Sequence, residues 1–215
     1  MRKMMRLSML LAVGPLCAVG FLAAAQDVQS PEDFLGHAVG ADYKLAKWDR
    51  IVAYFRQLDA QSDRVAVRDL GTTTEGLPMI FAEIASAETI ANLEPHRANQ
   101  RKIADPRMIA DETEEQRLVW ESKVPVFINC QLHSTETAAS QMSMELAYQL
   151  ATGDSPEVQE ILDRVIVLLI PCANPDGQLK VVEWYERTLG LPWEGTGMPW
   201  LYHKYAGHDN NRDAF

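Results

Sequence analysis

Three short stretches of the chain hold residue types that can do chemistry together. The first is Gln131-Leu132-His133-Ser134-Thr135-Glu136, which contains the only His-x-x-Glu in the sequence. An imidazole and a carboxylate three residues apart at a helix start can point the same way. Both are good zinc ligands, and a catalytic zinc takes three protein ligands and keeps one position for water. The motif supplies two. Spacing alone leaves a second reading open, in which His133 hydrogen-bonds locally and Glu136 caps its helix. The second stretch, Asn174-Pro175-Asp176-Gly177, reads by composition as a turn. The third is His208-Asp209-Asn210-Asn211-Arg212-Asp213. The planar fork of Arg212 suits a carboxylate bidentately, while a solvated polar tail would have the same composition.

The elements that must position these groups follow from periodicity. Tyr43 to Gln61 reads as a helix, because Trp48, Ile51, Val52, Phe55 and Leu58 share one face. Val65–Leu70 and Met79–Ala85 read as two strands of an antiparallel hairpin, with Gly76 and Pro78 in the turn. Residues 87–122 are polar and charged, and are expected to be helical pieces and loop broken at Pro95 and Pro106. Val124–Cys130 reads as an apolar strand, Thr135–Thr152 as a helix ended by Gly153, and Ser155-Pro156 as the start of another helix. Val165–Cys172 is solidly apolar, the pattern of a strand buried on both faces in a parallel sheet. Strand, helices, strand is a βαβ unit, and in open α/β sheets ligands bind off the carboxyl ends of the strands. His133 and Asn174 both sit at such ends. From Val181 onward, Trp184, Tyr185, Trp193, Trp200, Tyr202 and Tyr205 mix with glycines and read as a long ordered loop region.

The whole chain has 215 residues, 47% of them apolar, which allows one domain with a real core. Its net charge of −10 excludes a nucleic-acid binder that works by bulk electrostatics. Arg2, Lys3 and Arg6, then an apolar stretch from Leu7, then Ala23-Ala24-Ala25 read as a secretory signal peptide over residues 1–25. Its removal leaves 17 basic and 30 acidic residues. Residues 26–42 form a turn-rich amino-terminal extension, and no span-length apolar run follows position 26. The chain is therefore expected to be secreted or periplasmic. There Cys130 and Cys172 could pair, or stay as two separately buried thiols.

A strand ending in His-x-x-Glu, a strand ending in Asn-Pro-Asp-Gly, and then Asp-x-Asn-Arg, in that order, resembles the zinc carboxypeptidase family, the carboxypeptidase A-like metallocarboxypeptidases. The stretch Gly71–Pro78 with its flanking strands is similar to that family's opening, and the likeness covers residues 43–215. The resemblance implies an α/β fold, a partial carboxypeptidase-like mixed sheet with about four strands present and flanking helices. It implies Zn2+ as cofactor and a peptide with a free C-terminus as substrate, hydrolysed at its last bond. His133 and Glu136 match the first two zinc ligands. Asp209 matches the acidic residue that orients the ligand histidine, fixing its tautomer. Asn211 and Arg212 match the pair that grips the terminal carboxylate. Arg187 falls near the arginine that polarises the scissile carbonyl. Asp213 stands where many members have Asn.

The family's third zinc ligand, its general-base glutamate and a substrate-facing tyrosine lie downstream of the Asp-x-Asn-Arg motif. The expectation is therefore that residues 43–215 are the amino-terminal part of a catalytic domain truncated at its C-terminus, binding zinc weakly and hydrolysing little. His203 and His208 read as structural or surface residues rather than ligands, and His37 and His96 stand in regions with no other metal-type residues. A reading from a different class is a non-catalytic secreted module that keeps Asn211 and Arg212 as a peptide-terminus clamp, or a decayed enzyme. The sequence holds no Gly-x-Ser-x-Gly elbow, no His-Glu-x-x-His and no Gly-x-Gly-x-x-Gly after a strand. That argues against a serine hydrolase, a zincin endopeptidase and a dinucleotide-binding enzyme.

Overall fold

The structure, a computed structural model, describes residues 28–199, 204 and 210–212. Expectations for residues 1–27, for His203, His208, Asp209 and Asp213, and for Trp200, Tyr202 and Tyr205 lie outside the described residues. Pro31–Leu35 forms α1, capped by the Ser30 hydroxyl. Trp48–Gln61 forms α2. Val65–Thr72 (β1) and Pro78–Ile84 (β2) are the expected antiparallel hairpin, with Val65 opposite Ile84. Ala87–Ala91 (α3), Leu93–Ala104 (α4) and Glu112–Glu121 (α5) fill the polar stretch. Val124–Asn129 is β3, Thr137–Thr152 α6, Pro156–Arg164 α7, Val165–Ile170 β4 and Pro175–Thr188 α8. The sheet runs β1-β2-β4-β3, with β3 and β4 parallel and the other neighbours antiparallel. This is the mixed α/β sheet of four strands that the sequence implied. No helix among the described residues is long and apolar enough to cross a membrane.

Alternation along the strands builds two apolar layers. Ile80, Ala82 and Ile84 of β2 and Val167 and Leu169 of β4 join Ile51, Phe55 and Leu58 of α2 and Met144, Ala147 and Leu150 of α6 in the main core. The opposite-facing Ile166 and Leu168 pack with Ala85, Ile90 and Leu93 under α3 and α4. Strand β4 is thus buried on both faces, as its unbroken apolar run requires. Strand β3 pairs with β4 alone among the described strands, and Val124, Val126 and Phe127 stay partly exposed.

Several boundaries differ from the sequence reading. Helix α2 starts at Trp48 rather than Tyr43, because the backbone of Ala46 is taken elsewhere. Its N–H donates to Gln141 Oε1 at 3.0 Å and its carbonyl accepts from Gln178 Nε2 at 2.7 Å. Residues 31–35 are helical rather than turn. Pro95 does not break α4, because it occupies the first turn, where a missing N–H leaves no bond unmade. Asn174–Gly177 is a helix start rather than a free turn, and α8 continues through Trp184 and Tyr185 to Thr188. Aromatic content suggested loop there, but Gln178, Val182 and Thr188 make a buried helical stripe.

Candidate metal centre

The two loops bearing the motifs leave the sheet side by side. The Cys130 amide donates to Ile170 O at 2.9 Å, extending the parallel ladder by one bond, and the Ala173 amide donates back to Cys130 O at 2.9 Å. Beyond Cys130 the chain must turn sharply, and Gln131 does this with φ of 47°, the left-handed region that non-glycine residues rarely occupy. Its buried side chain closes the loop from inside, Nε2 donating to Ser134 O at 3.1 Å.

That turn brings His133 and Glu136 together. Glu136 occupies the residue before α6 but does not cap it with its side chain. Instead both carboxylate oxygens reach back to His133. One accepts from the backbone N–H at 2.9 Å and the other lies 2.7 Å from ring Nδ1. A carboxylate can only accept, so the shared proton sits on Nδ1. Bonds from the His133 ring and from its backbone N–H hold the Glu136 carboxyl below the usual carboxylate range. His133 is the less exposed of the two, with 21% of its side chain accessible against 46% for Glu136. His133 therefore bonds locally to the other candidate ligand, and Glu136 makes no side-chain cap on its helix.

A nitrogen and an anionic oxygen this close are donor types that could hold a zinc ion, with His133 and Glu136 as the holding residues. The set is partial. Among the described residues no three His, Cys, Asp or Glu side chains come together. Cys130 and Cys172 stand beside the same strand ends as buried free thiols. Burial pushes both thiols up, Cys172 to about 12. Asn211 and Arg212 share a 3-10 turn at residues 210–212, where the Arg212 guanidinium donates to Asn211 O at 3.0 Å. Arg187 lies in the last turn of α8, 3.8 Å from Glu183, and ten residues (about 15 Å of helix) past Gly177.

The family model of zinc carboxypeptidases matches residues 51–212. The chain belongs to the zinc carboxypeptidase family. Solved structures similar to it include the metallo-carboxypeptidase from Burkholderia cenocepacia, at 22% identity and a TM-score of 0.44, covering 63% of this chain and 29% of that one. Carboxypeptidase A from Helicoverpa armigera is similar at 17% identity and a TM-score of 0.45, covering 74% of this chain and 32% of that one. Bovine thrombin-activatable fibrinolysis inhibitor, in complex with tick carboxypeptidase inhibitor, is similar at 12% identity and a TM-score of 0.43, covering 65% of this chain and 34% of that one. The chain thus spans about a third or less of the length of these carboxypeptidases. No curated protein matches it.

Four residues at this centre carried no chemical reading in the sequence: Gln131, Ser134, Asp176 and Gly177. Asp176 is buried and accepts from Thr73 Oγ1 at 2.5 Å and from the Glu75 amide at 3.2 Å. Asn174 Oδ1 accepts from the Gly177 amide at 3.0 Å and caps α8. The signal for the cap was available, since Asn before Pro and an apolar-periodic run marks a helix start. The partners of Asp176 lie 101 and 103 residues away, beyond local pattern.

Proposed function

We propose that this chain contributes the first two zinc ligands and the substrate-terminus clamp of a metallocarboxypeptidase that hydrolyses the C-terminal peptide bond of peptides. The observation that carries this reading is the 2.7 Å approach of His133 Nδ1 to Glu136, at the carboxyl ends of two parallel strands in a chain of the zinc carboxypeptidase family. His133 and Glu136 would hold the ion. When bound, Zn2+ polarises a carbonyl and lowers the pKa of a water. Asp209 would orient the His133 ring, and Asn211 with Arg212 would hold the substrate's terminal carboxylate. Arg187 would polarise the scissile carbonyl, which requires the substrate to reach the distal end of α8. A third ligand and the general base are to be sought beyond the described residues. With two donors in place, the 215-residue chain would bind zinc weakly and turn over little peptide. Residues 1–25 would act as a signal peptide, and the mature protein would work in the periplasm or outside the cell.

The test is a Zn2+ titration by chelator competition, together with peptide hydrolysis by the natural polypeptide that carries this sequence. His133→Ala and Glu136→Ala should each weaken zinc binding at least tenfold. A peptide with a free C-terminus should be hydrolysed and its C-terminal amide should not. Hydrolysis that survives complete zinc removal would overturn the reading. Because only two donors converge among the described residues, a peptide-terminus binding module is the second reading. Carboxylate-dependent peptide binding with no turnover by the natural polypeptide would select it.

A further inference from the structure

We infer that Asp176 and Gly177 are positioning residues for the His133–Glu136 pair, acting by holding the first turn of α8 between the metal loop, residues 131–136, and the β1–β2 turn. This inference rests on the metallocarboxypeptidase reading of that pair. The steric half of the clamp is Gly177. A Cβ built on Gly177 would stand 2.7 Å from Ser134 Cβ and 2.6 Å from Asn174 Nδ2, closer than real Cβ contacts come. Ser134 follows His133 directly and is fully buried. The metal loop is therefore seated on the first turn of α8 at a distance only glycine allows.

Close packing of Ser134 on Gly177 sets that seat. Gln131 Oε1, Ser134 Oγ and Asn174 Nδ2 are buried there with no hydrogen-bond partner among the described residues. Inside the loop Gln131 Nε2 donates to Ser134 O, and Cys172 Sγ stands 3.9 Å from Gln131 O. A loop held by fit moves when the fit changes.

Asp176 supplies the polar half, on the outer side. Its two carboxylate oxygens take the Thr73 hydroxyl and the Glu75 amide from the turn between β1 and β2. Thr73 Oγ1 in turn accepts from the Leu77 amide at 2.9 Å, and Lys180 of α8 pairs with Glu75. The hairpin turn is thus bolted to the first turns of α8, and α8 cannot tilt away from Ser134 without breaking that set. A bidentate carboxylate acceptor is required, because one oxygen serves a side chain and the other a backbone group.

The experiment compares wild type, Gly177→Ala, Ser134→Gly/Gly177→Ala and Thr73→Val, using Zn2+ alone. Circular dichroism reports the fold, chelator competition reports affinity, and the 15N imidazole resonance of His133 reports whether zinc engages that ring. Gly177→Ala should remain folded and bind zinc at least tenfold more weakly, with a diminished His133 response. Removing the opposing Ser134 Cβ in the double variant relieves one of the two contacts, the Asn174 side chain remaining, and should restore part of the lost affinity, a rescue that general destabilisation would not produce. Thr73→Val should weaken binding about two- to fivefold. Should Gly177→Ala fail to fold, Thr73→Val decides. If wild type binds zinc through His133 and the folded variants bind equally tightly, the clamp is overturned. If the wild-type His133 resonance ignores zinc, the metallocarboxypeptidase reading itself falls.

Discussion

Cys172 Sγ lies 3.9 Å from the carbonyl of Gln131, across the junction where β3 and β4 hand over to the two functional loops. Cys130 belongs to the same buried cluster. Each thiol fills space under the metal loop, and burial pushes each pKa up. A thiol must ionise to react. In native protein at pH 8, Cys130 and Cys172 are expected to resist a thiol-specific reagent and to appear as two additional reactive thiols once the chain is unfolded in denaturant. Two cysteines that stay unreactive after unfolding until a reductant is added would show a disulfide instead.

On the opposite face, Glu83 is only 3% exposed. Arg68 lies 2.5 Å from one carboxylate oxygen and Arg97 2.7 Å from the other. Either guanidinium can keep the buried carboxylate compensated. Arg68→Ala and Arg97→Ala should therefore each cost about 1 kcal/mol or less, since both arginines are also well hydrated. The double substitution leaves a buried anion without a partner and should cost about 3 kcal/mol, more than the sum. Urea unfolding of the four proteins measures this coupling, and additive losses would refute it.

How much of this was legible in the sequence follows the range of the forces involved. The β1–β2 hairpin, the parallel pairing of β3 with β4 and the His133–Glu136 juxtaposition rest on period, turn residues and i,i+3 spacing, all local. The start of α2 was misplaced because Gln141 and Gln178 compete for the backbone of Ala46 across 95 and 132 residues. Helix α8 was hidden because its buried stripe uses Gln178 and Thr188, polar residues that periodicity does not count as core. The role of Asp176 depends on a turn about a hundred residues earlier, and the backbone strain at Gln131 has no composition signature at all.

His96 supplies a pH dependence. Its Nδ1 is buried without a hydrogen-bond partner among the described residues. Burial, with a smaller push from Lys123 and against the pull of Glu88, holds its pKa below the ordinary 6.5. The native state then binds fewer protons than the unfolded chain once the pH drops below 6.5, so stability is full above that value and is lost as pH falls through the lowered native pKa. The melting temperature should drop between pH 7 and 5, and His96→Leu should flatten that part of the profile. An unchanged slope in the variant would assign the loss to other groups.

Strand β3 offers an edge whose chemistry can be read residue by residue. The Cys130 amide points toward β4, so by alternation the amides of Phe127 and Asn129 point away from it, while Pro125 has none to offer. Phe127 is 62% exposed and Val124 58%. An exposed apolar edge with free donors is a template for pairing with another strand. The 215-residue chain should self-associate with rising concentration in sedimentation velocity. Phe127→Lys should suppress that association while changing stability by no more than about 0.5 kcal/mol, as for other surface positions. If the lysine variant associates as strongly as the parent, the contact lies elsewhere, because a charge at the centre of the strand cannot be accommodated in an apolar edge-to-edge pairing without a partner.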